Sequence, residues 1–185
     1  VTDRLIDALK QIEGAYSLVC VAKDMLIGVR DPLGVRPLVL GKQDDAYVLA
    51  SESCALDIVG AEIVRDLDPG EMVVITKAGI KSIKPFPAKQ SRFCVFEYIY
   101  FARPDSVLEG RGVYHARKAI GAELAKESGA DADLVVPVPD SGVPAALGYA
   151  EAANIHFELG IIRNHYIGRT FIQPSQQGRN DSVKM

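Results

Sequence analysis

Asp133-Leu134-Val135-Val136-Pro137-Val138-Pro139-Asp140-Ser141-Gly142, followed by VPAALGYAEAA over 143–153, is a nearly continuous apolar run that ends in a small polar loop and then a helix. An apolar run of this kind suits the interior of a parallel sheet, where both faces of a strand are covered. Asp140-Ser141-Gly142 then opens a helix whose first turn presents unpaired backbone N–H groups. A helix start at the end of a strand is a ready anion site, because amide donors and the helix dipole face the same point. Asp or Ser before a helix is equally an ordinary cap with no ligand, and PDSG alone leaves both readings open.

The next segment bears on that choice. HFELGII, residues 156–162, reads as a further strand over Phe157 to Ile162, and it runs into RNHYIGRTFIQPSQQ, residues 163–177. Residues 163 to 185 carry Arg163, Arg169, Arg179 and Lys184 against Asp181 alone, so positive charge gathers in the tail. Thr170, Gln173, Ser175, Gln176 and Gln177 add neutral hydrogen-bonding groups, while Gly168 and Pro174 argue against a helix through the centre. The composition suits a lid that becomes ordered over an anion, and a solvated charged loop is the plainer alternative. Upstream, VYHARKAIGAELAKES over 113–128 reads as an amphipathic helix with Ala116, Ile120 and Leu124 inward, ended by Gly129.

The first half of the chain has a different period. Thr2 to Ile12 spaces Leu5, Ile6, Leu9 and Ile12 on one helical face behind a Thr or Asp cap. After Gly14 come AYSLVCVA, MLIGV, RPLVLG and AYVLAS, divided by short polar or Pro/Gly turns, and then AEIVRDL, EMVVIT and IKSIKPF. These predict antiparallel strands, with a short helix capped by Ser53 running to Val59. RDPLGVRPL, residues 30–38, reads on its residues as a turn held by an Asp side chain and an Arg pair. PFPAKQSR, residues 85–92, has linker composition and predicts a domain boundary near 88, giving domains 1–88 and 89–185.

Composition narrows the class. The 185 residues, 48% hydrophobic and 24% charged, suffice for a real core. No run reads as a membrane span or signal peptide, so a cytoplasmic location is expected. Cys20, Cys54 and Cys94 are odd in number and widely spaced in apolar surroundings, which favours reduced thiols. A net charge of −3 gives no reason to expect nucleic-acid binding. His115, His156 and His165 lack metal-ligand spacing.

RDPLGVRPLVLG, ASESCALD and RDLDPGEMVVI together resemble the later half of the glutaminase domain of N-terminal-nucleophile amidotransferases, in the amidophosphoribosyltransferase branch. VPVPDSGVPAALGYA and RNHYIGRTFIQPSQQ resemble that family's pyrophosphate loop and flexible lid, and FCVFEYIYFARPDS its domain-crossing segment. The resemblance runs from about Gly14 to Gln177. It implies an α/β protein in which the end of an αββα glutaminase domain, with antiparallel sheets, precedes the start of a type I phosphoribosyltransferase domain with a parallel sheet. The implied activity is transfer of glutamine-derived ammonia to 5-phosphoribosyl 1-pyrophosphate, giving 5-phosphoribosylamine at the first committed step of purine synthesis.

The family's nucleophile is an N-terminal Cys whose own amino group is the base; this chain begins Val1-Thr2-Asp3, and no glutaminase catalytic residue is assigned to it. Cys20 and Cys54 read as inert buried thiols. By resemblance, Asp140, Ser141 and Gly142 contact pyrophosphate or its Mg²⁺, with Ser141 on the metal side. Arg163, Tyr166, Arg169, Thr170, Phe171 and Ile172 close over the substrate. The paired-Asp motif expected to grip the ribose and metal falls outside residues 1–185, so the chain reads as an internal portion that is inactive alone. Cys94 matches the first ligand of members that hold a [4Fe–4S] cluster, or else is a buried thiol. Tyr100 falls near the family's nucleotide-inhibitor site, or else belongs to the core. GRNDSVKM, residues 178–185, keeps the family's Arg and Val-Lys, but Gly178 and Asn180 to Ser182 are atypical, which leaves the lid's closing helix open. Purine nucleotides as inhibitors and a homo-oligomer are further implied. The alternatives are a non-catalytic phosphate- or nucleotide-sensing module, or an amidotransferase acting on another acceptor; the latter does not explain PDSG together with the GRTF lid.

Overall fold

The structure, a computed structural model, describes residues 1–166, 168 and 170–184. It divides into two compact units, Val1–Arg117 and Lys118–Met185.

In the first unit, helix α1 (Thr2–Leu9) precedes strands β1 (Ser17–Ala22), β2 (Met25–Arg30), β3 (Val39–Gln43) and β4 (Ala46–Ala50). Helix α2 (Ser53–Val59) and strands β5 (Glu62–Asp66), β6 (Met72–Thr76) and β7 (Gly79–Ile83) follow. The strands form two antiparallel sheets, ordered β1-β2-β6-β7 and β4-β3-β5. Alternation along β2 explains the layering. Ile27 and Val29 join Met72, Phe86 and Leu9 beneath α1, whereas Gly28 turns the other way, where a Cβ would lie 2.7 Å from Leu49 of the second sheet. Leu38, Leu40, Leu67 and Val73 fill the space between the sheets. On the far side of the second sheet Val39 packs with Leu56 and Ala61, and Gly41 lets α2 lie close. The layers therefore run helix, sheet, sheet, helix, as expected for an αββα domain.

Both helix starts differ from expectation. α1 begins after Val1 and α2 after Glu52, neither with a side-chain cap bond. The Ser53 hydroxyl instead accepts from Val107 N at 2.8 Å. RDPLGVRPL folds as its residues suggest: the Asp31 carboxylate, wholly buried, accepts from Leu33 N and Val35 N at 2.9 and 3.0 Å. Arg30, equally buried, donates to the carbonyls of Arg36, Gly34 and Leu67 and to Glu109.

Residues 89–117 pack with this unit. Arg92 N and Cys94 N donate to Leu33 O and Val35 O, at 2.7 and 2.9 Å. A π-helical turn spans Glu97–Phe101, followed by the short pair β8 (Val107–Leu108) and β9 (Arg111–Gly112) and helix α3 (Val113–Glu127), in which the two units divide. α3 does not bury the face expected. Ile120 and Leu124 are 46% and 50% exposed, and Val113, Arg117 and Gly121 are buried instead.

The second unit holds β10 (Leu134–Val135), α4 (Val143–Ala153), β11 (His156–Phe157), a 3-10 turn (Thr170–Ile172) and α5 (Gln176–Lys184). β10 and β11 pair in parallel, Leu134 with His156 and Val135 with Phe157, around the α4 crossover. Both strands are shorter than the runs 133–139 and 157–162. Pro137 and Pro139 have no N–H to give, so the ladder stops at Val135, and one further bond, Glu158 N to Val135 O, carries the alignment on. α4 meets α3 backbone to backbone: a Cβ on Gly121 would lie 1.8 Å from Ala145 O, and one on Gly148 1.9 Å from Lys118 O. Rotation of α3 toward Gly121 follows from that contact, because only a residue without a side chain admits the crossing.

Candidate functional site

The loop between β10 and α4 is built for close approach. Gly142 N donates to Val138 O at 3.1 Å, and a Cβ there would stand 2.7 Å from the same oxygen, so the turn excludes a side chain. Gly142 serves as the helix N-cap with no side-chain cap bond, and Pro144 lies in the first turn. The capping alternative for Asp140 and Ser141 therefore does not describe this helix start. The Pro139–Asp140 peptide is cis.

Strand alignment brings the start of the basic segment to the loop. Beyond β11 the chain follows residues 135–140, with Gly160 against Val136. Arg163 Nη1 reaches Asp140 Oδ2 at 2.8 Å, and both side chains are more than half exposed. Tyr166 stands fully in solvent after an Asn164 turn, in which Tyr166 N donates to Asn164 Oδ1 at 3.0 Å. Phe171 and Ile172, 75% and 67% exposed, project from the 3-10 turn, and Thr170 is half-buried at its start. Arg169 lies outside the described residues. The helix left open at the end of the basic segment does form, over Gln176–Lys184: Ser175 Oγ accepts from Gly178 N, and Arg179 folds back on Gln173 O at 2.6 Å and on Gln176 Oε1.

An oxygen pair such as Asp140 and Ser141 suits Mg²⁺, which takes one or two carboxylates and completes its shell with water and phosphate. Among the described residues no group of three or more His, Cys, Asp or Glu is arranged to hold a metal. Cys94 is half-buried with its backbone fixed to Val35.

Known proteins match this arrangement. The glutamine amidotransferase domain family matches residues 2–57. An amidophosphoribosyltransferase of Rhizobium etli is 55% identical over the whole chain, which spans 38% of that protein. A chloroplastic one of Glycine max is 51% identical over 98% of the chain and 32% of its own length. The solved structure of the Bacillus subtilis glutamine phosphoribosylpyrophosphate amidotransferase complexed with ADP and GMP superposes on all of this chain with a TM-score of 0.89 at 48% identity; 40% of that protein is covered. Throughout its length the chain is homologous to amidophosphoribosyltransferases. It spans about a third of the length of these relatives.

The first unit contains a further feature that sequence reasoning missed. A cavity of about 290 Å³ is lined by Tyr16, Arg36, Ser51, Glu52, Glu97 and Phe101, among others. Glu97, 2% exposed, pairs with Arg36 Nε at 2.6 Å, and the Arg36 guanidinium lies 4.6 Å from the Phe101 ring centre. Burial pushes the Glu97 carboxyl above the ordinary range, with Arg36 opposing and Glu52 adding to the rise. Glu52 Oε2 accepts from Arg103 N and Ser106 Oγ at 2.7 and 2.9 Å. The available signal was one acid, Glu97, inside the apolar run FCVFEYIYF. Tyr100, expected either near a nucleotide site or in the core, is 57% exposed. Cys54 is buried, with its thiol pushed up chiefly by burial, as suits an inert thiol.

Proposed function

We propose that this chain carries the pyrophosphate loop and the lid of an enzyme that moves glutamine-derived ammonia onto 5-phosphoribosyl 1-pyrophosphate. The product is 5-phosphoribosylamine, and the step is the first committed one of de novo purine synthesis. Its domains divide near 88, into the end of the glutaminase and the start of the phosphoribosyltransferase. What carries the reading is the 2.8 Å approach of Arg163 to Asp140, which joins the loop to the root of the basic segment.

Displacement of pyrophosphate builds negative charge on the leaving group, so donors fixed beforehand around it lower the barrier. Gly142, lacking a side chain, lets the diphosphate reach the backbone N–H groups at the start of α4. Arg163 and Arg169 supply charge-assisted hydrogen bonds to phosphate oxygens. Ser141, with Asp140 beside it, would hold Mg²⁺, which would neutralise the leaving charge. Tyr166, Thr170, Phe171 and Ile172 fold over the ribose, and the apolar pair shields the entering ammonia from water. Cys94 would offer one of the four thiolates if the protein holds a [4Fe–4S] cluster, and is a plain half-buried thiol otherwise. Purine nucleotides inhibit, and the enzyme is a cytoplasmic homo-oligomer; residues 1–185 alone are inactive.

The test is formation of phosphoribosylamine from glutamine and phosphoribosyl pyrophosphate by the intact protein. Binding of phosphoribosyl pyrophosphate with no product in any buffer would favour a phosphate-sensing module and overturn the assignment. Iron analysis of anaerobically purified protein decides the cluster.

A further inference from the structure

We propose that Arg117 is a positioning residue that holds residues 97–101 in their π-helical register, and that this register is needed to pass glutamine nitrogen on to phosphoribosyl pyrophosphate. The inference rests on the function proposed above and adds to it a residue outside the pyrophosphate loop and the basic segment.

One carbonyl decides the register. In an α-helix Ala102 N would donate to Tyr98 O, four residues back. Here it donates to Glu97 O at 3.1 Å, one residue further back, which is the bond of a π turn. Tyr98 O is already claimed: Arg117 Nε donates to it at 2.6 Å, while Arg117 Nη2 donates to Ala102 O at 2.7 Å. The next amide is withdrawn as well. Arg103 N, which could continue the π ladder onto Tyr98 O, donates instead to Glu52 Oε2 at 2.7 Å. The helix therefore ends at Phe101 with Ala102 extended, and Arg117 supplies donors to carbonyls that a helix end leaves orphaned.

Two costs meet here. The π turn is a rare form that is frequent at functional sites. Arg117, 3% exposed, meets carbonyl oxygens rather than a carboxylate, beside the apolar cluster of Ala102, Leu108 and Val113. Burial pushes its guanidinium pKa down, with Glu52 opposing, as expected of a charge taken from water.

The register sets what each side chain meets. It turns Glu97, 2% exposed, onto Arg36 Nε at 2.6 Å and lays the Phe101 ring 4.6 Å from the same guanidinium. Tyr98 points inward, its hydroxyl donating to Leu108 O at 2.6 Å, while Ile99, Tyr100 and Phe101 stay about half exposed. Were Tyr98 O free, Ala102 N could take it. The tighter α turn would rotate the side chains between Glu97 and Ala102, and Glu97 and Phe101 could not both keep Arg36. These residues belong to FCVFEYIYFARPDS, the stretch that resembles the domain-crossing segment. In the proposed reaction nitrogen is freed by one domain and used by the other, so the presentation of residues 99–101 bears on the handover and on neither half-reaction alone.

The experiment uses the intact protein as wild type, Arg117→Met and Arg117→Lys. The rates measured are glutamine hydrolysis, phosphoribosylamine from glutamine, and phosphoribosylamine from ammonium chloride. In Arg117→Met the yield of phosphoribosylamine per glutamine hydrolysed falls about fivefold, the factor that one net hydrogen bond commands. Hydrolysis and the ammonium chloride rate each stay within about twofold of wild type, a split that general loss of structure does not produce. Arg117→Lys keeps the charge but not the fork that serves two carbonyls at once; its yield falls less, and it carries the test if the Met variant does not fold. A crystal structure of Arg117→Met shows Ala102 N moved onto Tyr98 O and Phe101 off Arg36. Unchanged yield in both variants, or a parallel fall of all the rates, overturns the positioning role. A variant crystal that keeps Ala102 N on Glu97 O overturns the register. Wild type that forms no phosphoribosylamine from either nitrogen source overturns the functional reading, and the inference with it.

Discussion

Replacing Glu71 by Gln should remove most of the protein's sensitivity to acid between pH 5 and 2. The Glu71 carboxylate is 1% exposed and gathers four hydrogen bonds: two from Arg65 at 2.6 and 2.7 Å, one from Asp68 N at 2.8 Å and one from the Ser82 hydroxyl at 2.5 Å. Burial alone would raise its pKa, but these donors and the Arg65 charge bring it from 4.5 to about 2. A drop of that size corresponds to roughly 3 kcal/mol of native stability. Because the folded value lies below the unfolded one, this stability is fully present above about pH 4.5 and drains away as pH falls toward 2. Glu71→Gln keeps the volume and loses the charge; Arg65, 41% exposed, can turn to water, so the loss at pH 7 is about 2–3 kcal/mol, at or below the low end for a broken buried pair. Urea denaturation from pH 7 to pH 2.5 measures it. The wild-type curve should fall steeply through the acid range and converge on a flatter variant curve. Two parallel curves would refute the reasoning, since the acid limb would then belong to other carboxylates.

Gly142→Ala forces a Cβ to within 2.7 Å of Val138 O; calorimetry should show pyrophosphate binding weakened at least tenfold, with a stability loss of about 1–3 kcal/mol for the displaced loop. Asp31→Ala strips two backbone N–H groups of a fully buried carboxylate acceptor, and chemical denaturation should register a loss of about 2–4 kcal/mol. Phe171→Ala, at a side chain 75% exposed, should leave the stability to urea within about 1 kcal/mol of wild type while lowering the yield of phosphoribosylamine per glutamine hydrolysed. Equal yields in that variant would remove Phe171 from the ammonia path.

How much of this could be read from residues depended on whether the signal was local. Alternation marked β1 to β7 individually, since each strand carries its own period, and Asp31-Pro32 with Gly34 announced the turn they make. The layering was not local: Gly28 and Gly41 admit a second sheet and a helix, yet in sequence they are two glycines within apolar strands. Helix starts failed for a related reason. Ser53 has the chemistry of a cap, but Val107, fifty-four residues on, claims its hydroxyl. Periodicity put Ile120 and Leu124 inward, whereas the fit of Gly121 against Ala145 sets the rotation of α3. In the site, Asp140 and Arg163 were each legible, and their contact became visible only through the register of β10 and β11. Glu97 escaped notice because its partner Arg36 sits in a turn that sequence alone reads as structural.

The meeting of α3 and α4 at Gly121 and Gly148 has a consequence for change over generations. With main chain touching main chain, no neighbour can swivel aside to welcome a newcomer, so even a methyl group must push the helices apart. A library randomised at both sites should return glycine alone at each, whereas Ile120, next door and open to water, should accept most alternatives.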